Sequence, residues 1–182
     1  NIAASMALKG ANVLMIDLDL RKATLGKANE KDHRGVAAYL NGKVADYHEN
    51  IDVLSENLSL LPVGKLPPNP TELLLTERFR SMIDSLRKEY DYIFIDCPPI
   101  DVVADAAIIT KVVDMTVFVI RAGLLDKRSI PMIKTLYGSG KYTRMAMIIN
   151  GVDLEGRKNR SYGYGYGYGY GYGYGYGYGN ED

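Results

Sequence analysis

Five short apolar runs, most of them ending on a polar residue, set the rhythm of this chain. Residues 11–16 (Ala-Asn-Val-Leu-Met-Ile) end at Asp17, residues 92–95 (Tyr-Ile-Phe-Ile) at Asp96, residues 115–120 at Arg121 and residues 145–149 at Asn150, while residues 58–63 make a fifth run. Continuous apolar runs of this length, without alternation, predict strands buried on both faces. Helical patterns fall between them. Phe79, Met82, Ile83 and Leu86 stand at i, i+3, i+4 and i+7, leaving Glu77, Arg78, Arg80 and Arg87 for solvent. Residues 104–112 and 127–137 predict two further helices, with Pro131 in the first turns of the second, where its missing N–H costs least.

The chain opens inside a helical pattern, Asn1-Ile2-Ala3-Ala4-Ser5-Met6-Ala7-Leu8, and Lys9-Gly10 supplies a helix end. A helix with neither cap nor strand before it, and no initiator Met, leads to the expectation of a chain truncated at its N-terminus. Strands alternating with helices predict an α/β fold with a mostly parallel sheet and helices on both faces. Ligands of such sheets bind in the crevice beyond the carboxyl ends of the strands, so Asp17, Asp96, Arg121 and Asn150 gather polar chemistry at one edge.

The last stretch departs from this grammar. From Ser161 onward tyrosine and glycine alternate, with Tyr162, Tyr164, Tyr166, Tyr168, Tyr170, Tyr172, Tyr174, Tyr176 and Tyr178 giving nine of the chain's 15 tyrosines. No core can be built from such a segment, and glycine between the rings frees the backbone to present each phenol in turn. The division expected is a core over residues 1–156 and a flexible tail over 157–182. The tail from Tyr162 reaches at most about 70 Å when extended and averages roughly 25 Å as a Gly-rich coil.

Composition narrows the function classes. Lys+Arg and Asp+Glu both number 22, so nothing points to a nucleic-acid partner. The one cysteine, Cys97, excludes an internal disulfide. No apolar run approaches the roughly 20 residues a membrane span needs. His33 and His48 fall in polar connections and are expected to be solvated.

Two strand ends carry the candidate chemistry. In Asp17-Leu18-Asp19-Leu20-Arg21-Lys22, carboxylates two residues apart project to one side if the chain stays extended, with Arg21 in the same row; a polar loop after a strand is the plain alternative. In Ile93-Phe94-Ile95-Asp96-Cys97-Pro98-Pro99 an Asp follows a buried run and two prolines fix the loop. That is the Walker B arrangement, in which the Asp reaches Mg2+ through its water shell.

These motifs resemble the cytoplasmic catalytic domain of bacterial tyrosine kinases, which serve capsular and exopolysaccharide synthesis and export. They form a deviant-Walker branch of the P-loop ATPases beside MinD- and ParA-type proteins. The resemblance runs over most of residues 1–153. It rests on Val13-Leu-Met-Ile-Asp-Leu-Asp-Leu-Arg21, Leu61-Pro-Val-Gly64, Pro67-Pro-Asn-Pro-Thr-Glu-Leu73, Tyr90-Asp-Tyr-Ile-Phe-Ile-Asp-Cys-Pro-Pro99, Asp105-Ala106, Val119-Ile-Arg-Ala-Gly123, Asn150-Gly-Val-Asp153 and the terminal tyrosines. It implies ATP and Mg2+ as cofactors, with Asp17 orienting the tyrosine hydroxyl, taking its proton late and lying near the metal. Asp96 would hold Mg2+ through water. Asp19 and Arg21 would complete the second Walker motif, by direct contact or by fixing the loop. Asn150 would bond adenine, with a buried strand cap as the equal alternative, and Cys97 would pack the loop. The nine tail tyrosines would be phosphoacceptors, used in trans.

The resemblance further implies a homo-oligomeric ring, a membrane-anchored chain-length or activator domain in cis or in trans, a cognate tyrosine phosphatase, and a place at the cytoplasmic face of the bacterial inner membrane. The phosphate-binding loop and its strand would lie ahead of Asn1, and no Gly-rich Lys-Ser/Thr turn occurs within the 182 residues. The 182 residues alone are therefore expected not to transfer phosphate efficiently. Two rivals stand beside the kinase. One is a MinD- or ParA-type ATPase switch, which has no use for the tail. The other reads the Tyr-Gly alternation as a self-assembling strand.

Overall fold

The computed structural model describes residues 1–22, 25, 35–99 and 105–152. His33, Asp153, Arg157, Lys158, Arg160 and the nine tail tyrosines lie outside them. Among the described residues the helices and strands follow in the order α1 (Ile2–Ala7), β1 (Val13–Asp17), α2 (Val36–Leu40), β2 (Asp52–Ser55), β3 (Leu58–Leu61), α3 (Pro70–Leu74), α4 (Glu77–Leu86), β4 (Tyr92–Asp96), α5 (Asp105–Ile109), β5 (Val117–Arg121), α6 (Ile130–Gly138) and β6 (Ala146–Asn150). Each of the five apolar runs forms a strand. Gly10, at φ +91°, takes the left-handed turn that ends the first helical segment.

The strands form two sheets, one ordered β2-β3-β1-β4 and one made of β5 and β6. Every pairing is parallel except β2 with β3, a hairpin turning at Glu56-Asn57 with a register shift between Val53 and Ser55. The sequence pattern does not announce β2, because Asp52 and Ser55 break the apolar run and its residues lie toward solvent. Nor does it announce α2 or α3, each five residues long. The second of these starts on Pro70, whose fixed φ suits a first helical position.

Burial divides the strands. In β1, Val13, Leu14 and Ile16 are fully enclosed; Leu14 and Ile16 join Leu61, Val63, Leu74, Phe79, Met82 and Leu86 in the principal core, while Val13 packs with Ala3, Ala7 and Leu58 in a second cluster. The four apolar positions predicted for the inner face of α4 are the four that are buried. No residue of β4 is fully buried, and burial on both faces fails outright for β5 and β6. Val119 and Ile149 are each 61% exposed, and α6 buries only Ile133, so little apolar cover lies over this pair.

The charged face of α4 also departs from expectation. Arg78 is not left to solvent: its guanidinium lies 4.0 Å from the Tyr39 ring centroid and Nη2 donates to the Val44 carbonyl at 2.8 Å. Arg87 donates to Asp114 at 2.7 Å and to the Val112 carbonyl at 2.9 Å. His48 is likewise engaged, with Nδ1 2.6 Å from Asp46 Oδ1 and Nε2 3.0 Å from Glu89 Oε2, and it stacks on Tyr47. The Arg78 and His48 contacts fasten the segment after α2 to α4 and the turn that follows it.

Two predictions follow from this packing. Gly35, which leads into α2, sits so close to the 62–64 backbone that an added Cβ would stand 2.4 Å from the Gly64 nitrogen and the Pro62 oxygen. Gly35→Ala should cost about 1–3 kcal/mol of unfolding free energy, read from urea titrations. The bond to Asp46, reinforced by Glu89, raises the His48 pKa above its ordinary value. A raised folded-state value means the stabilisation is complete below the unfolded value of about 6.5 and fades as pH rises through the folded one. Urea midpoints should fall between about pH 6 and pH 8.5, and His48→Gln should flatten that slope.

Candidate functional site

The carboxyl ends of β1 and β4 make the site. These strands pair in register from Val13 beside Tyr92 to Asp17 beside Asp96, so the two carboxylates leave neighbouring strands at the same level. One further bond, from the Leu18 N–H to the Asp96 carbonyl at 2.9 Å, carries the ladder just past the strand end. There the chain turns, and Asp17 directs the turn. Its Oδ1 accepts the Asp19 N–H at 3.0 Å and its Oδ2 accepts the Leu25 N–H at 3.1 Å. Asp19 repeats the device, Oδ1 accepting from Arg21 N at 3.3 Å and Lys22 N at 3.0 Å. Short carboxylate side chains gathering nearby N–H groups are what make Asp suited to such turns.

Asp17 is fully buried, 0% exposed, whereas Asp96 lies open to solvent. The row of side chains anticipated from an extended chain is thus a wound loop, in which Asp17 and Asp19 are engaged with their own backbone. Arg21 turns inward. Its Nε donates to Asp105 Oδ2 at 3.2 Å and its Nη2 to Thr71 Oγ1 at 3.2 Å.

Cys97 follows Asp96 in the chain and is partly buried. Burial first, and then the negative charge of Asp96, Asp19, Asp105 and Asp17, pushes its thiol up to about 12. The thiol therefore stays protonated at neutral pH, fitting a packing role. Among the described residues no set of three or more His, Cys, Asp or Glu side chains forms a ready-made metal cage. Mg2+ does not require one: it is typically held by one or two carboxylates, several waters and substrate phosphates, and an exposed Asp96 beside a buried Asp17 suits that mode.

A match to the AAA domain family spans residues 1–125. The tyrosine-protein kinase CpsD of Streptococcus pneumoniae serotype 4 is 40% identical over 162 residues, covering 87% of this chain and 70% of that protein. The chain belongs to the bacterial tyrosine kinase family. The kinase domain of the Escherichia coli tyrosine kinase ETK superposes with a TM-score of 0.74 at 31% identity, over 92% of this chain and 64% of that one. The fold extends to MinD of Pyrococcus horikoshii, a septum site-determining protein complexed with Mg-ADP, at a TM-score of 0.63 and 19% identity, covering 81% of this chain and 61% of that one.

Of the kinase-family residues singled out in the sequence, the structure brings Asp17, Asp19, Arg21 and Asp96 together. Asn150 ends β6, in the other sheet, beside Arg121. It is exposed, so it is not a buried cap; its Oδ1 accepts the Gly151 N–H at 2.8 Å and its carbonyl accepts Ala122 N–H at 2.8 Å. Thr71 and Asp105 both lie in motifs that carry the family resemblance, but neither is marked by the sequence as a site residue. Neither could be found by spacing, being 50 and 84 positions from Arg21. A cleft of ≈ 640 Å³ between α4 and the segment after α5, lined by Arg80, Asp84, Arg87 and Lys111 among others, includes none of these site residues.

The thiol supplies the prediction here. Cys97 should resist alkylation at about pH 8 in the folded protein and react promptly once unfolded in urea, followed by mass spectrometry.

Proposed function

We propose that this chain is the catalytic core of an ATP-dependent protein-tyrosine kinase, and that residues 157–182 form the tail it phosphorylates. The observation that carries the reading is the in-register pair Asp17 and Asp96 at the carboxyl edge of a parallel sheet, in a chain 40% identical to a tyrosine-protein kinase. Similarity to MinD lies at a level that supports the fold alone, and the rival switch reading has nothing comparable behind it.

Bound Mg-ATP supplies the phosphoryl group and the cation that offsets its charge. The exposed Asp96 carboxylate holds the magnesium water shell. Asp17, anchored at both oxygens by loop N–H groups, retains acceptor capacity on each. It orients the incoming tyrosine hydroxyl and receives its proton late in transfer. A phenol near pKa 10 and a carboxylate near 4 make early deprotonation unfavourable, and a loose transition state does not call for it. Asp19 and Arg21 hold the loop in shape. Asn150 offers an exposed side-chain amide for adenine, and this assignment is the one furthest from the carboxylate pair in the fold's topology.

The same reading assigns the tail tyrosines as acceptors in trans within a ring of copies, with a membrane-anchored activator and a phosphatase as partners at the cytoplasmic membrane face. Polysaccharide synthesis and export is the process regulated. Each phosphotyrosine adds roughly −1.5 to −2 charges, so a heavily modified tail repels its neighbours and loosens such a ring.

In the full-length polypeptide with ATP and Mg2+, Asp17→Asn should lower phosphotyrosine on the tail at least about a hundredfold, and Asp96→Asn should raise the magnesium requirement. Undiminished tail labelling in Asp17→Asn, measured by phosphopeptide mass spectrometry, would overturn the assignment.

A further inference from the structure

Asp105 is a carboxylate with an uncommon setting. It opens α5, its side chain is 1% exposed, and both of its oxygens are engaged. Oδ1 accepts the Thr71 hydroxyl at 2.7 Å and Oδ2 accepts Arg21 Nε at 3.2 Å. Arg21 Nη2 then donates to Thr71 Oγ1 at 3.2 Å, so the three side chains close a triangle in which every pair is hydrogen-bonded. Its corners come from the loop after β1, the first turn of α3 and the first residue of α5, and α3 packs against α5.

Two bonds on different nitrogens fix both the position and the plane of the guanidinium. The backbone of that same arginine donates to Asp19, and Asp19 in turn donates to Asp17. A continuous chain of bonds therefore runs from Asp105 to the carboxylate at the end of β1. Arg21 is not sealed in: its side chain remains 40% exposed. Stability alone is a weak account of this arrangement, because a buried charge pair adds little that apolar residues of similar volume would not match. What it does supply is a single orientation for a charged side chain beside the site.

We propose that Asp105 and Thr71 are positioning residues, which act through Arg21 to hold the Asp17–Asp19 loop in its productive shape. The proposal rests on the kinase reading for its consequence, though not for its geometry. Loss of such a restraint displaces the loop by a fraction of its width, which is enough to slow chemistry while leaving nucleotide affinity nearly intact.

The test uses the full-length polypeptide with Asp105→Asn, Thr71→Val, Thr71→Ser and Arg21→Ala, and Asp105→Asn combined with Arg21→Ala. Asp105→Asn and Thr71→Val should each lower kcat about a hundredfold with KM for ATP changed less than about threefold, while Thr71→Ser, which keeps the hydroxyl, stays within about threefold of wild type. In the Arg21→Ala background Asp105→Asn should cost nothing further. Independently of turnover, NMR should show the Arg21 Nε–H exchanging with solvent about tenfold faster in Asp105→Asn than in wild type. Wild-type kcat in Asp105→Asn, additive losses with Arg21→Ala, or unchanged Nε–H exchange would overturn the proposal. If Asp105→Asn does not fold, the Thr71→Val and Thr71→Ser pair decides by the same criteria. If Asp17→Asn labels the tail normally, the kinase assignment of Asp17 fails on its own, and the exchange measurement still judges the triangle.

Discussion

The parallel ladder between β1 and β4 pairs Val13 with Tyr92 and continues without a slip to Asp17 beside Asp96. Parallel register partners stand on the same side of the sheet, so two carboxylates meet only because both strands end on Asp at the same level. A slip of one residue would exchange the two faces of β1, moving Leu14 and Ile16 out of one core cluster and Val13 out of the other. All three are fully enclosed, each contributing roughly 1.5–3 kcal/mol by its burial. Hydrophobic burial far from the chemistry thereby sets the spacing of the charged groups.

Once the ladder stops, the carboxylates organise the loop themselves. Asp17 and Asp19 between them accept four backbone N–H groups, donors that would otherwise be orphaned as the chain leaves the sheet. Burying a carboxylate is costly unless its oxygens are satisfied, and here the same bonds meet both needs. This also explains how Asp17 can be buried while Asp96, one strand away, is open: the first is the hub of a turn, and the second follows a strand whose exit is led away by Pro98 and Pro99.

The strands other than β2 were legible because each lies in a short, largely apolar run, and α4 because its apolar period matches its buried face. What escaped was written in residues that act at a distance. Arg78 looks like a solvent-facing residue in a linear reading, but it is half-buried, held by the Tyr39 ring and the Val44 carbonyl; His48 is exposed, as expected, and still bonds Asp46 and Glu89. Thr71 and Asp105 carry no local signature, because a hydroxyl and a carboxylate 34 positions apart become a pair only when α3 packs on α5. The prediction of full burial failed at β5 and β6 for a related reason: apolar composition says that a strand can be covered, and the covering element decides whether it is.

Charge balance gives the site its chemical direction. The charges of Asp17, Asp19, Asp96 and Asp105 all raise the Cys97 thiol, and Arg21 is bonded to one of them, Asp105. Asp17, Asp19 and Asp105 are buried, where Coulombic forces are weakly screened. Such a cluster repels a bare polyphosphate and attracts a divalent cation. On the kinase reading proposed above, a nucleotide would bring its metal with it, and Asp96, exposed at the sheet edge, is the carboxylate placed to meet that metal. Arg21, bonded to Asp105 and Thr71 through its side chain and to Asp19 through its backbone, ties the loop of the inner carboxylates to α5 and α3.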